Sequence, residues 1–145
     1  MPRPPAARRR SGAALLPSGS DRRLGEALTR AALRAEGVAA PSPYYLENTG
    51  VLIHRMDPAT VQTAAAPLAR TVRIQIITPP GALTRDAQKQ LVKDATGIMA
   101  DICGDPSLAK RTWVLLTEAA EGGWGIGGTA FGREEFTALA AAARK

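Results

Sequence analysis

The stretch Thr112–Gly128, TWVLLTEAAEGGWGIGG, constrains the fold of this chain more than any other. Trp113, Val114, Leu115 and Leu116 form an apolar, strand-forming run. The run breaks at Glu121-Gly122-Gly123 and resumes as Trp124-Gly125-Ile126-Gly127-Gly128, where apolar residues alternate with glycine. Glycines this dense in an extended stretch mark a place where another backbone or a ligand comes close. The expectation is a sheet edge that a neighbouring subunit extends.

The segments before it repeat one pattern. Ser18-Gly19-Ser20-Asp21 offers a turn and a helix N-cap, and Leu24, Leu28, Ala31, Ala32 and Ala35 follow at helical spacing until Gly37. This predicts a helix over Asp21–Glu36, with a strand opening at Val51-Leu52-Ile53 and running to about Met56. A short strand at Gly12–Leu16 would precede the helix. In Thr71–Thr78, Val72, Ile74 and Ile76 take one face and Arg73, Gln75 and Ile77 the other. Pro79-Pro80-Gly81 turns the chain. Thr84 caps a second helix with Leu91, Ala95, Ile98 and Ile102 on one stripe, and Gly104 ends it. Ala40–Pro43 reads as a loop, Asp57–Pro67 as irregular or a short helical turn, and Phe131–Lys145 as a last, alanine-rich helix.

Strand–helix–strand therefore occurs twice. Paired β-α-β units make an α/β fold with a four-stranded sheet and two helices on one face. The predicted organisation is a basic, disordered head at residues 1–8 and a single domain at 9–145. The first unit covers about 9–60, the second about 71–130, and the C-terminal helix 131–145. The helix-free face would carry apolar residues such as Ile77, Val114 and Leu116, and burying it calls for a symmetric oligomer.

A chain of 145 residues has room for one domain with a real core. No apolar run approaches the ~20 residues that span a bilayer, and Ala13–Leu16 is too short for a signal-peptide core. A cytoplasmic location without membrane attachment is expected. Cys103 is the single cysteine and His54 the single histidine, so neither an internal disulfide nor a thiolate cluster or two-histidine metal site can form within the chain. The net charge is +6. Part of it lies in Arg3, Arg8, Arg9 and Arg10, with no acid before Asp21. That head could touch nucleic acid, but it lacks interleaved aromatics and any nucleic-acid motif, so an arginine-rich extension is the preferred reading. The cationic excess equally suits a pocket for a small anion.

The second unit resembles the 4-oxalocrotonate tautomerase superfamily. The resemblance rests on the strand Val72–Thr78, the turn Pro79–Thr84, Gln88-Lys89 at the helix start, Leu116-Thr117-Glu118 ending a strand, and Trp124–Gly128 as the close. The first unit matches in layout only, as in the fused, two-unit members that form trimers. The resemblance implies three chains around a barrel of sheets and a keto-enol isomerase acting on a small enol or 2-oxo carboxylic acid, with decarboxylase or hydratase activity as related possibilities. No cofactor and no metal are implied. The family's base is an N-terminal proline, whose secondary amine shuttles a proton; burial and nearby cations lower its pKa. Pro2 would fill this role once Met1 is removed, although it precedes the expected place by about seven residues. Arginines hold the carboxylate and polarise the carbonyl oxygen. Arg73, Arg85 and Arg111 are the candidates, and Trp124 stands where the family places an aromatic pocket wall. The family's turn arginine is replaced by Ala82-Leu83 and its final-strand arginine by Trp113. Arg111, two residues earlier, would share the face of Trp113, and Arg73 could instead pair with Glu118. The alternatives are a tautomerase-fold subunit that has lost its base or been put to another use, and a nucleic-acid-associated protein acting through the arginine head.

Overall fold

The computed structural model describes residues 15–143. The first helix, α1 (Asp21–Ala35), buries Leu24, Leu28, Ala31 and Leu33. Ser20 occupies its N-cap but makes no side-chain capping bond; Asp21 supplies the acid of the first turn. At the other end Gly37 adopts φ +83°. The Val38 N–H then reaches back to the Leu33 carbonyl at 2.9 Å, a left-handed stop that a glycine permits. A short helix, α2 (Pro43–Glu47), follows the expected loop and takes its last residue; Pro43 starts it and Ser42 Oγ accepts from the Tyr45 N–H.

Strand β1 (Val72–Thr78) leads through the Pro79–Thr84 turn into α3 (Arg85–Cys103). Thr84 Oγ1 accepts from the Ala87 N–H at 3.1 Å, as its place in the sequence predicts. Gly104, at φ +62°, ends the helix. A 3₁₀ turn at Pro106–Arg111 delivers the chain to β2 (Thr112–Glu118), which pairs parallel with β1 from Val72↔Thr112 to Thr78↔Glu118. Helices α1 and α3 pack on each other and on one face of this pair. Leu24, Leu28, Ala95, Met99, Ile102 and Leu108 form one cluster, against which Val72, Ile74 and Val114 pack. Ala31, Leu83 and Leu91 form a second with Ile76 and Leu116. Val114 and Leu116 thus lie under the helices, not on the helix-free face where the sequence placed them. The residues left open there are Ile77, Trp113 and Leu115, about half exposed, beside Arg73 and Gln75.

Of the four strands expected in the sheet, β1 and β2 are paired among the described residues. The Gly12–Leu16 strand falls largely outside those residues, as do Pro2 and the head; its last residue, Leu16, is buried in the first cluster. The Val51–Met56 segment carries no ladder among the described residues. Side chains hold it: Ile53 packs on the core, and Arg55 donates to the Leu16 carbonyl at 2.8 Å and to the Asp21 carboxylate. Val51 lies so close to α1 that a Cβ on Gly25 would sit 2.6 Å from its Cγ1.

The glycine-rich close turns on itself. Strands β3 (Trp124–Ile126) and β4 (Thr129–Phe131) form an antiparallel hairpin. Its two-residue turn is Gly127-Gly128, with φ of +58° and +84°. Two successive positive φ angles define the tight turn that suits hairpin twist, which accounts for the glycine pair. The last helix, α4 (Arg133–Ala143), begins after Phe131, which β4 uses. The Glu121 carboxylate accepts from the Arg133 N–H at 2.5 Å, and Glu135 accepts from the Gly132 N–H at 3.0 Å.

One acid is out of place. Glu36 caps the C-terminus of α1, half-buried, and burial pushes its pKa up to about 7. The helix dipole there also disfavours a negative charge. Between pH 4.5 and 7 the folded chain holds a proton that the unfolded chain has lost, so stability falls as pH rises through this window. With a discount for partial exposure the loss is about 2 kcal/mol. Glu36→Gln is expected to flatten urea midpoints between pH 5 and pH 8. An unchanged pH profile in the variant would overturn this.

Candidate functional site

Among the described residues, Arg73, Arg85 and Arg111 do not converge within one chain. Arg73 is the second residue of β1, exposed on the helix-free face, with Trp113 as its register partner. Its proposed mate Glu118 stands opposite Thr78 instead. That is five residues along the sheet, roughly 17 Å at strand rise. Glu118 accepts from the Gly81 N–H at 3.2 Å, bracing the turn after β1. The pairing of Arg73 with Glu118 is therefore excluded in this arrangement.

Arg111 is in the 3₁₀ turn, so strand parity does not place it beside Trp113. Its guanidinium donates to the Asp105 carboxylate at 3.0 Å, to Ser107 Oγ at 3.2 Å, and to the Arg70 carbonyl. Asp105 is held below the usual carboxylate range by the Ser107 hydroxyl first, and also by the Ser107 N–H and Arg111. The cluster joins the chain entering β1 to the chain entering β2. It borders an open groove of about 400 Å³ with Thr63, Leu68, Arg70 and Thr71.

Arg85 starts α3 at the opposite end of the strands, where its Nη1 is 3.4 Å from Gln88 Oε1. With Gln88, Lys89, Val92, Val114 and Leu116 it lines an open groove of about 520 Å³. Two cations rim an apolar floor there. Trp124 lies on the hairpin, edge-on to Phe136 with ring centres 6.4 Å apart, and Phe131 approaches Phe136 at 5.3 Å. This aromatic group packs the hairpin onto α4. Pro2 lies outside the described residues.

His54 is exposed on the Val51–Met56 segment. The Cys103 thiol is pushed up by burial and then by Asp105, away from the thiolate a nucleophile needs. Among the described residues no group of three or more metal-ligating side chains assembles, and no helix is long and apolar enough to cross a membrane. Two features escaped the sequence reading. One is the indole of Trp113 beside Arg73 on the open face. The other is the Asp105–Arg111 bridge, signalled by the Asp-Pro-Ser turn that sets Asp105 as an N-cap.

Residues 71–134 match the family described as Tautomerase enzyme. No curated protein matches the chain. Among solved structures, the chain is similar to the asymmetric trimer of wild-type R7 fused 4-OT, with TM-score 0.63, 25% identity, and 86% of this chain and 94% of that one covered. A native fused 4-OT is similar at TM-score 0.62 and 21% identity, covering 79% of this chain and 87% of that one. N1, a member of the cis-3-chloroacrylic acid dehalogenase family, is similar at TM-score 0.63 and 19% identity, covering 88% and 85%. The capped-helix crossover between parallel strands, the Thr117-Glu118 strand end and the glycine-turned hairpin are the parts that this family match spans. Residues 71–134 carry a tautomerase-family domain, and the chain as a whole shares the fold of the fused 4-OT structures.

Proposed function

We propose that this chain is a tautomerase-type isomerase for a small enol/2-oxo carboxylic acid, working as a homotrimer of two-unit subunits (about 9–60 and 71–130). The observation that carries the reading is the match of residues 71–134 to the tautomerase family. The fused 4-OT structures, among them a symmetric trimer, support the assembly. A trimer also answers the scatter of the site residues: groups at opposite ends of one sheet can meet only if different subunits contribute them.

In this reading the amine of Pro2, freed by removal of Met1, takes the enol O–H proton and delivers one to the adjacent carbon. The C=C bond becomes single and C–O becomes C=O, with no change in oxidation state. Arg73, Arg85 and Arg111 supply anion-binding guanidinium groups, and Trp124 an apolar wall. The Asp105 bridge fixes Arg111 in one direction and offsets its charge, which makes it the weakest of the three for substrate.

A second reading keeps the fold without its base. The replacement of the final-strand arginine by Trp113 and the engagement of Arg111 favour it. Ketonisation of phenylenolpyruvate, followed as loss of the enol absorbance, separates the two. Intact mass must first show Pro2 at the terminus. Turnover supports the isomerase; a correctly processed trimer with none supports the second reading.

A further inference from the structure

Helices α1 and α3 cover one face of the β1–β2 pair. A trimer that packs sheets together buries the opposite face, so the outward surfaces of both helices stay on the outside of the assembly. The two surfaces differ in charge. On α3, Arg85, Lys89 and Lys93 are matched by Asp86, Asp94 and Asp101, acids and bases in equal number. Helix α1 instead carries Arg22, Arg23, Arg30 and Arg34, all exposed. Its two acids are already engaged, Glu26 with Arg30 at 3.6 Å and Asp21 with Arg55. Glu36, at its end, has a pKa pushed up to about 7 by burial and carries only part of its charge at neutral pH. Among the described residues the Arg22, Arg23 and Arg34 side chains make no ion pair or hydrogen bond. Arg23, Arg30 and Arg34 fall within about 20° of one line along the helix, about 10 and 6 Å apart. None of the exposed large apolar side chains belongs to α1, and α1 contains no aromatic residue.

We propose that the outer face of α1 binds the phosphate backbone of a nucleic-acid duplex without reading its sequence. A row of cations on a rigid helix complements a linear polyanion, and duplex DNA carries one negative charge per ~1.7 Å of its axis. All four cations are arginines, whose planar fork takes two phosphate oxygens at once. An anionic membrane fits less well, because α1 has no exposed apolar side chain to enter the acyl boundary. A single strand fits less well, because α1 has no ring on which an unpaired base would stack. Phosphate contacts fix orientation and carry no base information. The contact lies on the folded surface, apart from Arg3, Arg8, Arg9 and Arg10 of the head, and it does not depend on the isomerase reading.

The test is fluorescence anisotropy of a labelled, mixed-sequence DNA duplex of about 20 base pairs, titrated with the full-length native oligomer at about 50 to 200 mM salt. Neutralising three or four phosphates sets the slope of log affinity against log salt at about −3. Arg23→Ala combined with Arg34→Ala removes two contacts. It is expected to make the slope shallower by about 2 and to weaken binding at least tenfold at the lower salt. Arg23→Lys combined with Arg34→Lys keeps the slope. Thermal melts by circular dichroism identify a variant that fails to fold, and Arg22→Ala, at the third unpaired arginine, then decides with a slope change of about 1. A slope that the α1 variants leave untouched would overturn the proposal, and with it a loss in the combined Arg8→Ala, Arg9→Ala and Arg10→Ala chain would place the contact on the head. Tighter binding of the same DNA as a single strand, or of phosphatidylserine vesicles, would also overturn it. So would absence of duplex binding at about 1 mM, above the ~10⁻⁴–10⁻⁶ M range of non-specific contacts. Phenylenolpyruvate turnover is read separately: an inactive chain that binds duplex through α1 loses the isomerase reading and keeps this one.

Discussion

Replacing Pro2 with alanine is expected to lower phenylenolpyruvate ketonisation at least 100-fold, with circular dichroism and oligomeric state unchanged. A positioned acid–base group contributes about 10²–10⁴ in rate. Alanine leaves a primary amine at the same terminus, so the variant tests the ring and not merely the presence of nitrogen. The proline ring stops rotation about the N–Cα bond and so orients the lone pair; a primary amine on a free backbone loses that orientation and is better solvated when protonated. Burial and neighbouring guanidinium groups both favour the neutral amine. Pro4→Ala and Pro5→Ala serve as controls, because their nitrogens are amides with no proton to exchange. If all three variants keep full rate, the terminal amine is not the base. If the natural chain is inactive and correctly processed, the subunit has kept the architecture and lost the catalyst.

The helices were legible because their signals are local and mutually consistent. Period 3.6 spacing, Thr84 before α3 and glycines after α1 and α3 all mark the same boundaries. Strand β1 was legible through its alternation. Strand β2 was legible as a strand but not in its facing. Trp113 to Leu116 are all apolar, so the pattern carries no phase; one parity faces the helices and the other is left open among the described residues. The hairpin was missed for a related reason. Glycine density announces a close approach or a positive φ, and Gly127-Gly128 uses the second. Arg111 was misplaced because the 3₁₀ turn runs up to the first residue of β2, and strand parity cannot be counted through it. Candidate site residues were readable as types, guanidinium groups and an aromatic. Their scatter over the two ends of the sheet depends on parallel register and on the α3 crossover, neither of which any single segment encodes.

Leu91→Ala is expected to destabilise the fold by about 3 kcal/mol, the middle of the range for emptying a buried leucine site. Leu91 is 1% exposed and sits where α1, α3 and the sheet meet, with Ala31, Leu83, Ile76 and Leu116 around it. Its neighbours limit how far the cavity can collapse. Ala31, Ala35 and Ala87 have no side-chain length to extend into the gap, and Ile76 and Leu116 are held by the β1–β2 ladder. The site should therefore relax little, and the cost should not fall to the low end. For a domain of this size the melting temperature should drop by roughly 10 °C. Leu91→Met conserves volume and should cost under about 1.5 kcal/mol. Leu52→Ala, at a side chain 86% exposed, should change stability by no more than about 0.5 kcal/mol. The contrast between Leu91 and Leu52 is the informative quantity, since hydrophobicity is equal and only burial differs. Equal losses at the two positions would mean that the Val51–Met56 segment is covered in the working assembly, and a loss under 1 kcal/mol at Leu91 would mean that the joint between the helices and the sheet is not the core of the fold.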